Sequence, residues 1–378
     1  MKLTVLTNIL APYRIPLFEA LRQRVDNFTV LLMAREHEDR QWALDQHKFE
    51  TIYLPGFHFR PRGHLISLHL NFGVIRALRK LDPDVVVSGG FAPGNISAFL
   101  YCKLYRKKYV GWGELTLNDG AESSLVRRTI RRLLTTFSDG SIAASSDSRD
   151  AFLHYGAKQN EVMVSLMPID TEKFHQSAAT FRHSTNCEKL KHKFTRPILL
   201  SIGRLIDIKG YDELFKIYGL VQQERPATSL LIVGDGPKRQ AYEELVRNNR
   251  WGNVHFIGFQ QADKLAQYLA IADLFVFHTL YDPFGAVLSE AMSAELPVIS
   301  SIYACATRDL VEDGATGFRI DPRDISSSAA TILKAINMKT DDRVAMIKNA
   351  YERVSHTNCE ESAEAMIDFI KRIVLRYA

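Results

Sequence analysis

Short, continuously apolar runs recur along the chain, and most are followed by a longer stretch with helical spacing. In the first half they are KLTVLTN, FTVLLMA, DVVVSGG, KYVGWGE, GSIAASS and EVMVSLM. In the second half they are PILLSIG, SLLIVGDG, VHFIGF, DLFVFH, LPVISS and GFRID. A strand with one wet face alternates apolar and polar positions, whereas a strand apolar throughout is buried on both faces of a parallel sheet. Strand–helix alternation through both halves therefore predicts an α/β protein with two doubly wound, Rossmann-like domains. The stretch TEKFHQSAATFRHSTNCEKLKHKFTR is polar and lacks strand character. It predicts a linker at 171–195, between a first domain at 1–170 and a second at 196–358. A last helix at 359–378 carries apolar Ala365, Ile367, Phe369, Ile370, Ile373 and Val374.

With 378 residues the chain is long enough for two domains with full cores. Its 46% hydrophobic and 24% charged residues are ordinary for a globular protein. No apolar run approaches the roughly 18 residues that span a bilayer. The opening MKLTVLTNILAPYR places a cation before apolar residues, as a signal peptide does. Asn8, Pro12 and Arg14 interrupt it and no small-residue cleavage site follows, so it reads as the first strand. Cys102, Cys187, Cys305 and Cys359 are scattered without a CxxC pair, which argues against zinc or a disulfide framework and for a cytoplasmic protein.

Charge separates the halves. Residues 1–185 hold 24 Lys and Arg against 18 Asp and Glu, an excess of +6, and the remainder holds 24 against 25. The excess concentrates between Lys103 and Arg132, in KLYRKK and RRTIRR. Solvated helix faces account for most such runs. The functional alternative is a surface for anionic lipid, with Arg127, Arg128, Arg131 and Arg132 as its docking residues.

In folds of this class ligands sit beyond the carboxyl ends of the strands, so the chemistry is expected just after strands. After ILLSIG come Arg204 and, past LIDIKG, Lys209. Gly203 frees the backbone there, and the helix YDELFKIYGLV follows. Two cations beside a helix N-terminus suit a diphosphate, though an ordinary surface loop reads the same. Gly234-Asp235-Gly236-Pro237 and Gly258 mark two further strand ends, read either as places where a flat base approaches the backbone or as plain turns. In YDPFGAVLSEAM, Asp282 stands at a strand end, Pro283 suits a first helical position, and Gly285 leaves N–H groups open. Glu290 lies eight positions beyond Asp282 on the expected helix. A helix cap and a solvated helix face are the plain readings of these two acids.

Taken in order, strand–G-R-L-x-x-x-K-G, V-G-D-G-P, F-x-G-F, D-P-F-G-x-x-x-x-E and LVEDGATGF resemble glycosyltransferase family 4 over the whole second domain. The likeness is fainter in the first domain, through TNILAPYRIPLFEAL and SLMPIDTEKF. The resemblance implies a GT-B fold, two Rossmann-like domains facing a central cleft with the C-terminal helix returning to the first domain. It also implies a retaining transferase that moves a hexose from a UDP- or GDP-sugar to a hydroxyl of a glycan or lipid-linked acceptor, as in surface polysaccharide or glycolipid synthesis.

By that resemblance Arg204 and Lys209 neutralise the departing diphosphate, and Asp282 faces the donor sugar. Phe284 and Gly285 offer backbone N–H groups to sugar hydroxyls, Glu290 holds the ribose, and Gly203, Gly234, Gly236 and Gly258 line the nucleotide. Asp282 stands where the family usually has Glu, one methylene shorter. Ala304-Cys305-Ala306-Thr307 occupy the region of the family's glycine pair. LAPYRIP replaces the usual Gly-Gly loop of the first domain, making Tyr13 and Arg14 acceptor-side candidates, with Glu114 after KYVGWG as another. Trp112 and Trp251 read as core or rim residues.

No metal or cofactor is expected. Asp82-Pro83-Asp84 looks like a D-x-D metal motif, but Pro83 and the following valines make it the start of a strand. Transfer is expected by front-side displacement, without a nucleophile on the opposite face of the sugar. The partners implied are a nucleotide-sugar, a glycan or polyprenyl-linked acceptor and an anionic membrane surface, with no nucleic acid. The competing functions are an epimerase or phosphorylase of the same fold and a non-catalytic nucleotide-sugar binder. A dehydrogenase lacks its G-x-G-x-x-G after a strand.

Overall fold

A computed structural model of the chain describes residues 1–35, 46–59, 68–118, 120 and 124–376. The chain divides into two compact units, Met1–Ile169 with Cys359–Ala378, and Asp170–Asn358.

The first unit opens with β1 (Lys2–Thr7), α1 (Ile15–Arg22), β2 (Asn27–Leu32) and β3 (Glu50–Tyr53). A small hairpin follows, β4 (Gly56–Phe59) and β5 (Leu68–Asn71), then α2 (Val74–Leu81), β6 (Val85–Gly89) and α3 (Pro93–Leu104). The unit continues through β7 (Lys108–Gly113), α4 (Leu125–Thr136), β8 (Gly140–Ala143), α5 (Ser146–His154) and β9 (Val162–Val164). Seven strands make one parallel sheet in the order β3-β2-β1-β6-β7-β8-β9. Successive side chains of a strand point to opposite faces, so each strand feeds two cores. Leu3 and Val5 join α1, and Leu6 joins α2, α3 and Leu134 of α4.

The second unit starts with α6 (Thr171–Arg182) and α7 (Thr185–Lys191), then β10 (Ile198–Ile202), α8 (Tyr211–Glu224), β11 (Ser229–Val233) and α9 (Arg239–Asn248). Next come β12 (Val254–Gly258), α10 (Ala262–Ile271), β13 (Leu274–Phe277), α11 (Ala286–Ser293), β14 (Val298–Ser301) and α12 (Cys305–Leu310). β15 (Phe318–Ile320), α13 (Ile325–Ile336) and α14 (Thr340–Ser355) complete it. Its six strands are parallel in the order β12-β11-β10-β13-β14-β15. The last helix, α15 (Cys359–Leu375), belongs to the first unit, where Met366, Ile367 and Ile370 pack beside Leu17, Phe18 and Leu21 of α1.

All twelve apolar runs form strands of the two parallel sheets. Three strands went unread. β3 is an edge strand whose residues are exposed or half-buried, and β4 and β5 pair only with each other, so none needs a continuous apolar run. The stretch read as a linker at 171–195 is corrected: it is mostly helix, and α6 packs on α10, α11 and α14. Asp170 caps α6 by accepting from Lys173 N–H at 3.0 Å, and Ser184 caps α7 in the same way from Cys187. Few of its positions are buried, which is why the stretch reads as polar.

Candidate active site

In an open parallel sheet the crevice forms where strand order reverses. In the second unit that point lies between β10 and β13, since the chain runs outward from β10 through β11 and returns at β13. Two loops leave the sheet there, residues 203–210 and residues 278–285.

The loops are zipped together. Ile208 O accepts from Leu280 N–H at 2.9 Å, from Tyr281 N–H at 3.2 Å and from Thr279 Oγ1 at 3.1 Å. Gly210 has φ 71°, and a Cβ there would lie 2.4 Å from His278 O, so only glycine permits this approach. The seam brings Lys209 Nζ to 2.5 Å from Asp282 Oδ2, with 19% and 15% of the two side chains exposed. The other Asp282 oxygen accepts from Phe284 N–H at 3.1 Å. Arg204 follows β10 on the same loop and is half-buried.

Two local expectations are corrected here. α11 begins at Ala286 with Gly285 (φ 98°) as its cap residue, so Pro283 precedes the helix and Asp282 lies in the loop instead of at the strand end. A Cβ on Gly285 would fall 2.5 Å from the Phe277 ring, which ties the cap to the core. The Phe284 N–H is already given to Asp282, so it supports that carboxylate and is not open to a ligand.

Glu290, in the second turn of α11, has no side-chain partner among the described residues. It keeps some exposed surface, yet burial of its carboxyl pushes the pKa up to about 7. An acid held this way without a cation is poised for an incoming ligand.

The Gly234–Pro237 turn packs backbone on backbone. A Cβ on Gly234 would lie 1.9 Å from Gly203 O, and one on Gly236 would lie 2.5 Å from Leu205 O. Leu205 N–H donates to Asp235 O and Lys238 N–H to Leu205 O. These glycines therefore seat the loop of Arg204, and the structure accounts for them without a base. Gly258 closes the set: its carbonyl accepts from Gly234 N–H at 2.9 Å, and Arg239 Nη1 lies 3.3 Å from where a Gly258 Cβ would be.

The Ala304–Thr307 segment forms the other wall of the Asp282 loop. Asp282 N–H donates to Tyr303 O, Cys305 N–H to Asp282 O, and Ala306 N–H to Phe284 O. Ala304, Cys305, Ala306 and Thr307 are all buried, so they serve as backbone support.

In the first unit Arg14 joins the ends of β1 and β7. It donates to Thr7 Oγ1 at 2.8 Å and to Glu114 Oε1 at 3.3 Å, and its guanidinium lies 4.8 Å from the Trp112 ring centre. Tyr13 is 5.9 Å from the same guanidinium. Trp112 is buried against Phe18, and Trp251 stacks on Phe215, so both are packing residues. Asp82 pairs with Lys107 at 2.7 Å, and Asp84 accepts from Lys2 N–H.

Arg127, Arg128 and Arg132 are exposed on α4, alongside exposed Leu125, Val126 and Phe137. Arg131 is corrected: it turns inward, over the Phe91 and Tyr155 rings and within 3.4 Å of Tyr155 Oη. The residue that sequence reasoning missed is His278, a polar residue closing the apolar run DLFVFH and buried beneath the seam.

Residues 184–353 match the family described as "Glycosyl transferases group 1". That stretch contains the whole loop pair around Lys209 and Asp282. Among relatives by sequence, the chain is 30% identical over 105 residues to the uncharacterized glycosyltransferase YqgM of Bacillus subtilis, covering 28% of this chain and 29% of that protein. It is 22% identical over 256 residues to the uncharacterized glycosyltransferase MJ1059 of Methanocaldococcus jannaschii, covering 65% of this chain and 62% of that one. Each match spans less than two thirds of the relative.

By structure, the chain superposes on Anabaena Alr3699/HepE, solved in complex with UDP, with a TM-score of 0.78 at 20% identity over 98% of this chain and 100% of that one. The sucrose-phosphate synthase of Thermosynechococcus elongatus gives a TM-score of 0.76 at 18% identity, covering 100% of both chains. At these identities the likeness establishes the fold: both units are Rossmann-like domains of the GT-B type.

Proposed function

We propose that the protein is a retaining glycosyltransferase that moves a hexose from a nucleoside diphosphate sugar, UDP- or GDP-linked, to an acceptor hydroxyl. The observation that carries this reading is the Lys209–Asp282 pair at the switch point of the second sheet. A fixed cation there meets the charge that grows on a departing diphosphate, and Arg204 on the same loop adds a second. The acid beside it faces the sugar, and Glu290 accepts the ribose hydroxyls. The family match over this domain and the nucleotide complexes of HepE support the donor class.

Both oxygens of Asp282 are engaged, one by Lys209 and one by Phe284 N–H. Such a carboxylate is a weak nucleophile, which favours front-side displacement. The bond from the anomeric carbon to the β-phosphate oxygen breaks, and the acceptor oxygen bonds to that carbon on the same face. The acceptor proton passes to the leaving phosphate, giving a glycoside and the nucleoside diphosphate. Lys209 and Arg204 supply the positive charge, so no metal is required. Tyr13, Arg14 and Glu114 would meet the acceptor.

The acceptor in this reading is a glycan or lipid-linked sugar at the inner membrane face, as in surface polysaccharide or glycolipid synthesis. Among the described residues no helix is long and apolar enough to cross a membrane. Attachment would be peripheral, through the exposed cations and apolar side chains of α4.

A thermal-shift panel of UDP-, GDP- and ADP-sugars tests the donor. A ligand that binds only the folded chain raises stability by RT ln(1 + [L]/Kd). A shift with one nucleotide series and release of that nucleotide on adding acceptor are expected. No shift with any of the three overturns the reading.

A further inference from the structure

The seam that presents Lys209 is held from below by one buried imidazole. His278, immediately after β13, is 3% exposed. Its Nδ1 lies 3.0 Å from Gly210 O and its Nε2 lies 2.7 Å from Ser201 Oγ. A carbonyl only accepts, so Nδ1 carries the proton. Nε2 of the neutral ring then accepts from the Ser201 hydroxyl. Burial pushes the imidazole pKa down to about 3, which keeps it in this neutral form at working pH. The Tyr211 ring stands edge-on at 4.7 Å, and its hydroxyl donates to Gly203 O at 3.1 Å. The loop that carries Arg204 and Lys209 is thus tied at its first residue by Tyr211 and at its last by His278.

We propose that His278 is a positioning residue for glycosyl transfer, acting through the backbone of Gly210 to fix Lys209 against Asp282. This rests on the donor reading of that pair. The geometry that requires it is specific. Gly210 has a left-handed conformation with no side chain of its own, and it forms the hinge between the short turn Asp207–Lys209 and α8. The Gly210 carbonyl also accepts the first helical bond of α8, from Leu214 N–H at 3.0 Å. Without His278 the hinge therefore keeps α8 and the seam to Ile208 but loses its tie to the end of β13.

Two substitutions separate positioning from packing. His278→Phe keeps a ring of similar shape and removes both nitrogens. His278→Asn loses the ring but sets an amide N–H where Nδ1 stood. If His278 positions Lys209, His278→Phe lowers turnover on the order of 10²-fold, the loss a displacement of about 1 Å produces. His278→Asn then recovers most of it, despite the smaller side chain. A packing role predicts the reverse order, because Asn leaves the larger void.

A second measurement needs no substrate. The rate at which an amine-acylating reagent labels Lys209, read by peptide mass spectrometry, reports how firmly Asp282 holds it. His278→Phe is expected to raise that rate several-fold, and His278→Asn to leave it near wild type. Equal labelling in wild type and His278→Phe, or better activity in Phe than in Asn, overturns the inference. If the wild type binds no nucleotide while labelling still responds to His278→Phe, the donor reading has failed and the coupling between the two residues stands.

Discussion

Lys209 and Asp282 lie 73 positions apart in sequence, yet their charged atoms meet at 2.5 Å because two loops share the carbonyl of Ile208. The pair is mostly shielded from solvent, so each charge depends on the other. Lys209→Ala is expected to remove most transferase activity, about 2–4 kcal/mol of barrier, by analogy with loss of one oxyanion donor. It also strands Asp282, at a stability cost of about 1–3 kcal/mol. Asp282→Asn keeps the shape and the bond to Phe284, and should lower turnover more than nucleotide affinity. Steady-state kinetics with titration of the free nucleotide separates these outcomes, and near-normal turnover by Lys209→Ala refutes the diphosphate role. Activity is expected to survive EDTA, since the reading assigns the positive charge to side chains.

Glu290 gives a stability signature with a definite sign. Its folded pKa, about 7, is raised above the usual 4.5 of the exposed acid. The acid form is therefore favoured by folding. That contribution is fully present below pH 4.5 and is lost as pH rises through about 7. Glu290→Gln should stabilise the ligand-free protein above pH 7, by on the order of 1–3 kcal/mol, and flatten this part of the pH profile. The same variant should bind nucleotide more weakly, because a ribose diol prefers the carboxylate. Melting curves from pH 5 to pH 8, with and without nucleotide, check both halves of the claim.

Backbone conformation supplies a pair of opposite predictions. Gly234→Ala sets a methyl 1.9 Å from Gly203 O, where backbone must shift. A loss of about 2–4 kcal/mol, with weakened nucleotide binding through the Arg204 loop, is expected. Arg250 is exposed and holds φ 57°, a conformation unfavourable for a side chain. Arg250→Gly should therefore leave activity unchanged and raise stability by about 0.5–1 kcal/mol. Urea unfolding of the two variants tests the contrast, and a stabilised Gly234→Ala would contradict the contact described.

Membrane attachment, if α4 provides it, should discriminate among its four arginines. Each cation near an anionic surface contributes about 1 kcal/mol within a Debye length of about 10 Å at 0.1 M salt. Arg127→Ser with Arg128→Ser and Arg132→Ser should abolish co-sedimentation with phosphatidylserine vesicles at low salt. Arg131→Ser should not, because that side chain is spent on Phe91 and Tyr155. A wild type that stays in the supernatant at low salt ends the idea.

The sequence by itself determined the two parallel sheets, because strands buried on both faces carry apolar residues at successive positions and most of the twelve runs do. The exceptions are short, such as β15 with its exposed Arg319. It also marked where chemistry would lie, since glycine, lysine and acid gather after β10 and β13. It could not show that 171–195 folds into helices, because α6 and α7 bury few side chains and use capping residues that look like a polar linker. Nor could it show what the glycines at 234 and 236 are for. Their need is a backbone from β10's loop a few ångströms away, and that neighbour comes from a distant part of the chain. The tertiary structure alone decided that Arg131 turns inward while Arg127, Arg128 and Arg132 stay in water. It alone placed His278 between Ser201 and Gly210, since a hydrogen bond across 77 or 68 positions leaves no local pattern to read.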